Sequence, residues 1–216
     1  MNFSVMLQLL GNGMLMSISI FLLTLVFSLP LGMVVAFGRM SKNTIIRGIV
    51  KFYISVMRGT PLMLQLILVY FGPHFLFGVA LSSNYRFIAT IIGFSLNYAA
   101  YFAEIYRGGI ESMPKGQYEA AEVLGFDKFQ TFFKIILPQV VKRVLPAMTN
   151  ETITLVKDTS LASAISMVEL FDVASQIAAS KSTIMPIMVA GLFYYVFNFI
   201  VAFIMEKIEK RLSYYK

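Results

Sequence analysis

The chain has 216 residues, of which 58% are hydrophobic and 13% charged, where a soluble domain runs at about 25% charged. It carries no cysteine and one histidine, which excludes disulfide scaffolds, thiolate metal sites and cysteine nucleophiles, and its apolar content excludes disorder. The formal net charge is +7, but the basic residues are dispersed between apolar runs rather than gathered on one face, which argues against nucleic acid and for a polytopic membrane protein.

No charge precedes Arg39, so the first apolar run lacks the basic start of a cleavable leader and is predicted as a retained span over 10–38. A basic cluster follows: Arg39, Lys42, Arg47, Lys51 and Arg58. A second span is predicted over 54–71. Within it, Met57-Arg58-Gly59-Thr60-Pro61 is a candidate gate, because Pro61 interrupts the hydrogen-bond ladder and Gly59 with Thr60 makes a narrow, flexible stretch. Such kinks also occur in membrane helices that do not move. An apolar external segment around Gly72-Pro73 leads to a third span, 87–106.

The segment 111–134 is polar and rich in helix formers, with Ser112 and Pro114 as start signals. It reads as two short helical pieces separated by a turn at Gly125 and ended by Pro138, with Ala120 and Ala121 keeping the first piece slim. On composition alone it could equally be an amphipathic loop on the membrane surface. The fourth span, 141–165, contains Glu151, Lys157 and Asp158 and rests on charge placement. The cluster at 39–58, a second from Arg107 to Arg143, and a third of Lys207, Lys210, Arg211 and Lys216 hold all of the 18 Lys and Arg residues except Arg86, Lys157 and Lys181. If all three clusters are cytoplasmic, the chain between Arg143 and Glu206 crosses an even number of times. With a last span at 183–205, the region 141–165 supplies the other crossing. Thr159 to Lys181, with Glu169 and Asp172, then lies outside, in the interface or dipping back into the protein. The expected fold is an all-α membrane protein of one domain, 1–216. It has five transmembrane helices, the N-terminus outside, the C-terminus cytoplasmic, and a cytoplasmic loop between spans 3 and 4.

Glu119-Ala120-Ala121, three residues, Gly125, nine residues, Ile135, one residue, then Leu137-Pro138 resembles the EAA loop of ABC-importer permeases. The likeness extends to Tyr101-Phe102-Ala103-Glu104-Ile105-Tyr106-Arg107-Gly108-Gly109-Ile110 and Gly116-Gln117, to Arg58-Gly59-Thr60-Pro61-Leu62, and to Lys157-Asp158-Thr159-Ser160-Leu161. Together these resemble the polar amino-acid permease family, which serves histidine, glutamate, glutamine, arginine and opine uptake. The resemblance implies a type I importer in the bacterial cytoplasmic (inner) membrane, with two five-span permeases, two ATP-binding subunits and usually an external solute-binding protein. The second permease would be another copy or a sister chain. Gly116, Glu119, Ala120, Ala121, Gly125 and Phe126 would then couple to the ATPase. No Gly-x-x-x-x-Gly-Lys-[Ser/Thr] motif occurs, so ATP and Mg are expected on that partner, with no cofactor in this chain.

Three acids fall in or near the spans, where each is costly and a functional candidate. Glu104 is three residues before Arg107 and is expected to pair with it, bracing the helix into the loop. Glu151 is ten residues past Val141, about 15 Å deep at 1.5 Å per residue. Glu151, Thr154, Leu155 and Asp158 share one helical face, and Lys157 lies off it. This face is expected to receive a cationic side chain, unless Arg58 or Arg86 on another helix partners Glu151. On the third span Asn97, Tyr98 and Tyr101 are candidates for hydrogen bonds to the substrate, with packing an equal option for the tyrosines. His74 stands alone, so no metal site is expected.

The function expected is uptake of polar, cationic amino acids (arginine, lysine or histidine) by alternating access. The alternatives are the same importer carrying glutamine or glutamate, and a membrane receptor that binds an ATPase without moving solute. No nucleophile–base arrangement points to an enzyme.

Overall fold

The computed structural model describes residues 2–78 and 80–212; Lys216, counted above in the C-terminal basic cluster, lies outside them. The described chain is helical throughout, in the order α1 (Phe3–Arg39), α2 (Thr44–Gly59), α3 (Leu62–Phe77), α4 (Ser83–Glu111), α5 (Lys115–Val123), α6 (Lys128–Gln130), α7 (Leu137–Asp158), α8 (Leu170–Lys181) and α9 (Met185–Leu212). A π-helical stretch, Thr131–Ile136, joins α6 to α7, and a 3-10 stretch, Thr159–Ile165, extends α7. α1, α4 and α9 are each long and apolar enough to cross a membrane. Two bent pairs, α2 with α3 and the helical run 128–165 with α8, pass the same test together, so the described residues hold three to five candidate spans.

The span expected as one helix over 54–71 is two helices whose axes turn through 111°. The cause is local. Pro61 has no N–H and presses the residue before it out of helical conformation, and Thr60 is extended at φ −122°, ψ 148°. Asn43 opens α2 by accepting hydrogen bonds from the amides of Ile45 (2.9 Å) and Ile46 (3.4 Å). Gly78, at φ 67°, closes α3 in the left-handed region.

The 111–134 segment holds α5 and α6 with a turn between them, where Gly125 takes φ 78°. Asp127 and Gln130 then form a capping box. Pro138, expected to end the second piece, does not. It sits in the first turn of α7, and the helical run continues past it. The widened π stretch ends two residues before Pro138, where an ordinary helix would need the missing N–H.

α1 and α4 form the centre. They approach closely: a Cβ on Gly32 would lie 2.9 Å from Phe102 Cβ, and Ser17, Thr24 and Ser28 are buried on α1. The largest core cluster joins Ile20 and Phe21 of α1, Leu66 and Tyr70 of α3, and Phe94, Tyr98 and Phe102 of α4 to Leu155 and Val156 of α7. A second packs α8 (Leu170, Ala174, Ile177) against Leu10 and Met14 of α1 and Ala190 of α9. The region 159–181 thus turns back onto the protein rather than lying along its surface.

Candidate functional site

The end of α7 is tied to the middle of α4 by one bond, in which the Tyr98 hydroxyl donates to Asp158 Oδ2 at 2.7 Å. The Tyr98 ring is buried, and the Tyr101 ring lies 6.2 Å from it, centroid to centroid. Over Tyr101 sits the Arg58 guanidinium from the end of α2, 5.2 Å from the ring centroid. Glu151, seven residues before Asp158 and on the same face of α7, is half-buried. Arg58 attracts it and Asp158 repels it. Among the described residues no cation comes within the 4.0 Å of an ion pair with it. Arg58, Tyr98, Tyr101, Glu151 and Asp158 therefore converge from three helices. Thr154 is exposed and bonds back to the Asn150 carbonyl at 3.0 Å, leaving this face open on one flank.

Two residues expected to line the substrate site, one on α7 and one on α4, are buried in other contacts. Leu155 is fully buried in the main core cluster, because the adjacent angular sector of α7 is the one that packs on α4. Asn97 is also buried, and its amide is committed: Nδ2 donates to the Met57 carbonyl at 3.0 Å and to Gln65 Oε1 at 2.9 Å. Gln65 in turn donates from Nε2 to the Met57 carbonyl (2.9 Å), the Thr60 carbonyl (3.1 Å) and Thr60 Oγ1 (2.8 Å). The expected flexible gate, Met57 to Pro61, is a braced turn. Backbone carbonyls freed by the break at Pro61 are satisfied by two side-chain amides, as an apolar setting demands.

Glu104 behaves as expected, and more. It accepts from Arg107 Nη2 at 2.6 Å, and Arg39 (3.8 Å) and Arg58 (3.9 Å) approach it as well. One carboxylate thus joins α1, α2 and α4. Arg86, the other partner considered for Glu151, donates to the Ser166 carbonyl at 2.9 Å instead. In the segment expected to couple to the ATPase, Gly116, Glu119, Ala120 and Gly125 are exposed, Phe126 is half-buried, and Ala121 is buried. Val123, Leu124 and Phe129 present exposed apolar side chains beside them.

Sequence reading missed Gln65 and gave Glu169 no role. Gln65 is the one amide within the apolar run 62–82, a signal in itself. Glu169 is fully buried and caps α8, accepting from the amides of Phe171 (2.9 Å) and Asp172 (2.8 Å), Ser17 Oγ (3.1 Å) and the Tyr194 hydroxyl (2.8 Å). It links α1, α8 and α9.

Residues 28–214 match the family described as binding-protein-dependent transport system inner membrane component. The chain belongs to this family. The permease is 36% identical over 202 residues to the putative glutamine transport system permease protein GlnP of Rickettsia bellii, covering 93% of this chain and 91% of that one. It is 38% identical over 203 residues to the arginine transport system permease protein ArtQ of Bacillus subtilis, covering 94% and 91%. The L-cystine transport system permease protein TcyB of the same organism is 38% identical over 209 residues, covering 95% and 87%. A crystal structure of an amino acid ABC transporter with histidines superposes at a TM-score of 0.86 with 30% identity, over 98% of this permease and 99% of that chain. The protein is thus a permease subunit of an ABC amino-acid importer, with the type I ABC permease fold.

Proposed function

We propose that this permease moves cationic amino acids (arginine, lysine or histidine) inward by alternating access, with the substrate bound between α4 and α7 near the bilayer midplane. The observation that carries the reading is the pair Glu151 and Asp158 on one face of α7, with no cation in ion-pair range of Glu151 among the described residues. Two carboxylates at membrane depth are costly unless a cation compensates them, and a guest ammonium or guanidinium supplies it. Tyr98 orients Asp158, and Tyr101 lines the approach. Asn97 is spent on the turn, so the side chain left to meet the substrate's α-carboxylate is Arg58, whose side chain is 44% exposed.

In this reading α1, the α2–α3 pair, α4, the α7 region and α9 are the five spans, with the N-terminus outside and the C-terminus cytoplasmic. That places the three basic clusters on the cytoplasmic side, apart from Arg58, which ends α2 at the substrate site. Two partner ATPases, which hold ATP and Mg, grip the α5 region through Glu119, Ala120, Val123 and Leu124, and their closure levers α4 and α7. A second permease, identical or a sister chain, covers the open flank, and an external solute-binding protein delivers the substrate to the bacterial inner membrane.

A second reading is glutamine transport, favoured by the 36% identity to the putative glutamine transport system permease protein GlnP. ATP-dependent accumulation of labelled arginine and glutamine in proteoliposomes holding the assembled transporter separates the two. Arginine accumulation that excess glutamine fails to inhibit supports the cationic reading. Glutamine accumulation that arginine fails to inhibit overturns it, and no accumulation of any amino acid favours a non-transporting receptor.

A further inference from the structure

α7 is covered on one side only, and its uncovered side is polar. Past Arg143 its exposed residues are Pro146, Ala147, Asn150, Thr154 and Lys157. Of the exposed large apolar side chains among the described residues, α7 supplies only Val141, near its start, whereas α9 exposes Leu192, Phe199, Ile200 and Phe203. A face like that of α9 suits acyl chains. One that presents an amide, a hydroxyl and an ammonium does not, because hydrocarbon satisfies none of them.

The two signs of charge stand on opposite flanks of this face. At 3.6 residues per turn, Lys157 lies about 60° to one side of Thr154, and Asp158 and Glu151 lie about 40° and 60° to the other. Lys157 thus points away from its own neighbour, and among the described residues no carboxylate comes within 4.0 Å of it. Asp158 has the Tyr98 hydroxyl at 2.7 Å but no cation in that range among the same residues. Two copies of one chain in a membrane are related by a two-fold axis along its normal. Such an axis sets one flank of α7 against the opposite flank of the other copy, at equal depth. With Thr154 on the axis, Lys157 of each copy faces the flank that carries Asp158 in the other, one residue or about 1.5 Å apart in height. A face bearing one sign would call for a different partner. This one is complementary to itself.

We propose that the second permease is another copy of this chain, docked through α7 with Thr154 at the two-fold axis and Lys157 of each copy paired with Asp158 of the other. The proposal deepens the reading above, in which a second permease covers this flank, and it makes neither substrate site complete in one chain. With the site empty, Lys157 of the second copy compensates Asp158, and Glu151 is left for the cationic group of the guest.

The test uses the assembled transporter in nanodiscs, with its other subunits free of cysteine; the permease has none of its own. A disulfide needs Cβ atoms about 4 Å apart, which only a residue at the axis offers to its own copy. Oxidation of Thr154→Cys is expected to link most of the permease into pairs of twice the chain mass, and Phe199→Cys on α9 is expected to link none. A partly open ion pair contributes about 1.5- to 5-fold, so two contribute about 2- to 25-fold. Lys157→Asp should weaken pairing by at least that factor, read by native mass spectrometry on dilution in detergent, since repulsion replaces attraction; Lys157→Arg should keep it. Absence of the Thr154→Cys link in a transporter that still hydrolyses ATP overturns the proposal, whether a sister chain or water then lies over α7. So does pairing of Lys157→Asp equal to wild type. Both readouts report pairing rather than cargo, so a wrong substrate assignment leaves them readable.

Discussion

The turn at Thr60–Pro61 offers the sharpest energetic test, because two side chains that share one bond also share one carbonyl. Asn97→Leu removes the donors to the Met57 carbonyl and to Gln65 Oε1. Gln65→Leu removes the donors to the Met57 and Thr60 carbonyls and to Thr60 Oγ1. Side-chain hydrogen bonds between membrane helices average about 0.6 kcal/mol and reach about 1.7 kcal/mol. Losing two such bonds therefore gives roughly 1–3 kcal/mol for Asn97→Leu, and losing four, the shared bond with Asn97 included, gives more for Gln65→Leu. The double variant should cost less than the sum, by about 0.6–1.7 kcal/mol, the strength of the Asn97–Gln65 bond itself. Because the chain has no tryptophan, helix circular dichroism during denaturation in mixed detergent micelles is a suitable readout. Strict additivity within about 0.3 kcal/mol would show that the amides do not act as one brace. Full stability of Asn97→Leu with a raised KM for substrate would return Asn97 to a substrate-binding role.

Three further changes probe other parts of the permease. Tyr98→Phe removes the bond that orients Asp158 and should raise KM for arginine about 3- to 20-fold in proteoliposome uptake, with a smaller change in kcat; an unchanged KM would separate Tyr98 from the site. Glu169→Ala strips the cap of α8 and removes the acceptor of the Ser17 and Tyr194 hydroxyls, which should cost about 2–4 kcal/mol by the same denaturation assay. Gly125→Ala meets no neighbouring atom within 4 Å, so its cost is backbone strain at φ 78°, about 1–2 kcal/mol. That strain is local to the segment proposed to dock on the ATPase, so co-purification of the ATPase should fall while the circular dichroism of the permease is unchanged.

How much of this was legible in sequence depends on whether a feature is local to one helix. The Glu104–Arg107 pair is written in i, i+3 spacing, the Gly125 turn in a glycine flanked by helix formers, and the break before α3 in a proline that denies Thr60 a helical conformation. Features that need a second helix were not. The face shared by Glu151, Thr154, Leu155 and Asp158 is real along α7, but its width in the sequence exceeds the sector that escapes packing, and Leu155 falls on the α4 side of that limit. Asn97 has the chemistry of a substrate ligand, and no periodicity within α4 reveals that the Met57 carbonyl and Gln65 claim it first. Likewise Pro61 announces an interruption but not a 111° turn, whose angle is held by amides from α3 and α4. Glu169 reads only as an acid in an external stretch of small and apolar residues until α8 folds back and it gains four donors.

The claim on which the cargo assignment turns is that Glu151 meets a positively charged substrate. Arginine uptake by proteoliposomes containing Glu151→Gln, with the partner ATPase and solute-binding protein unchanged, tests it most directly. A hydrogen bond to a charged group contributes about 1.5–3 kcal/mol, so KM for arginine should rise roughly 10- to 150-fold while basal ATPase activity is kept. Wild-type KM in this variant would contradict the account.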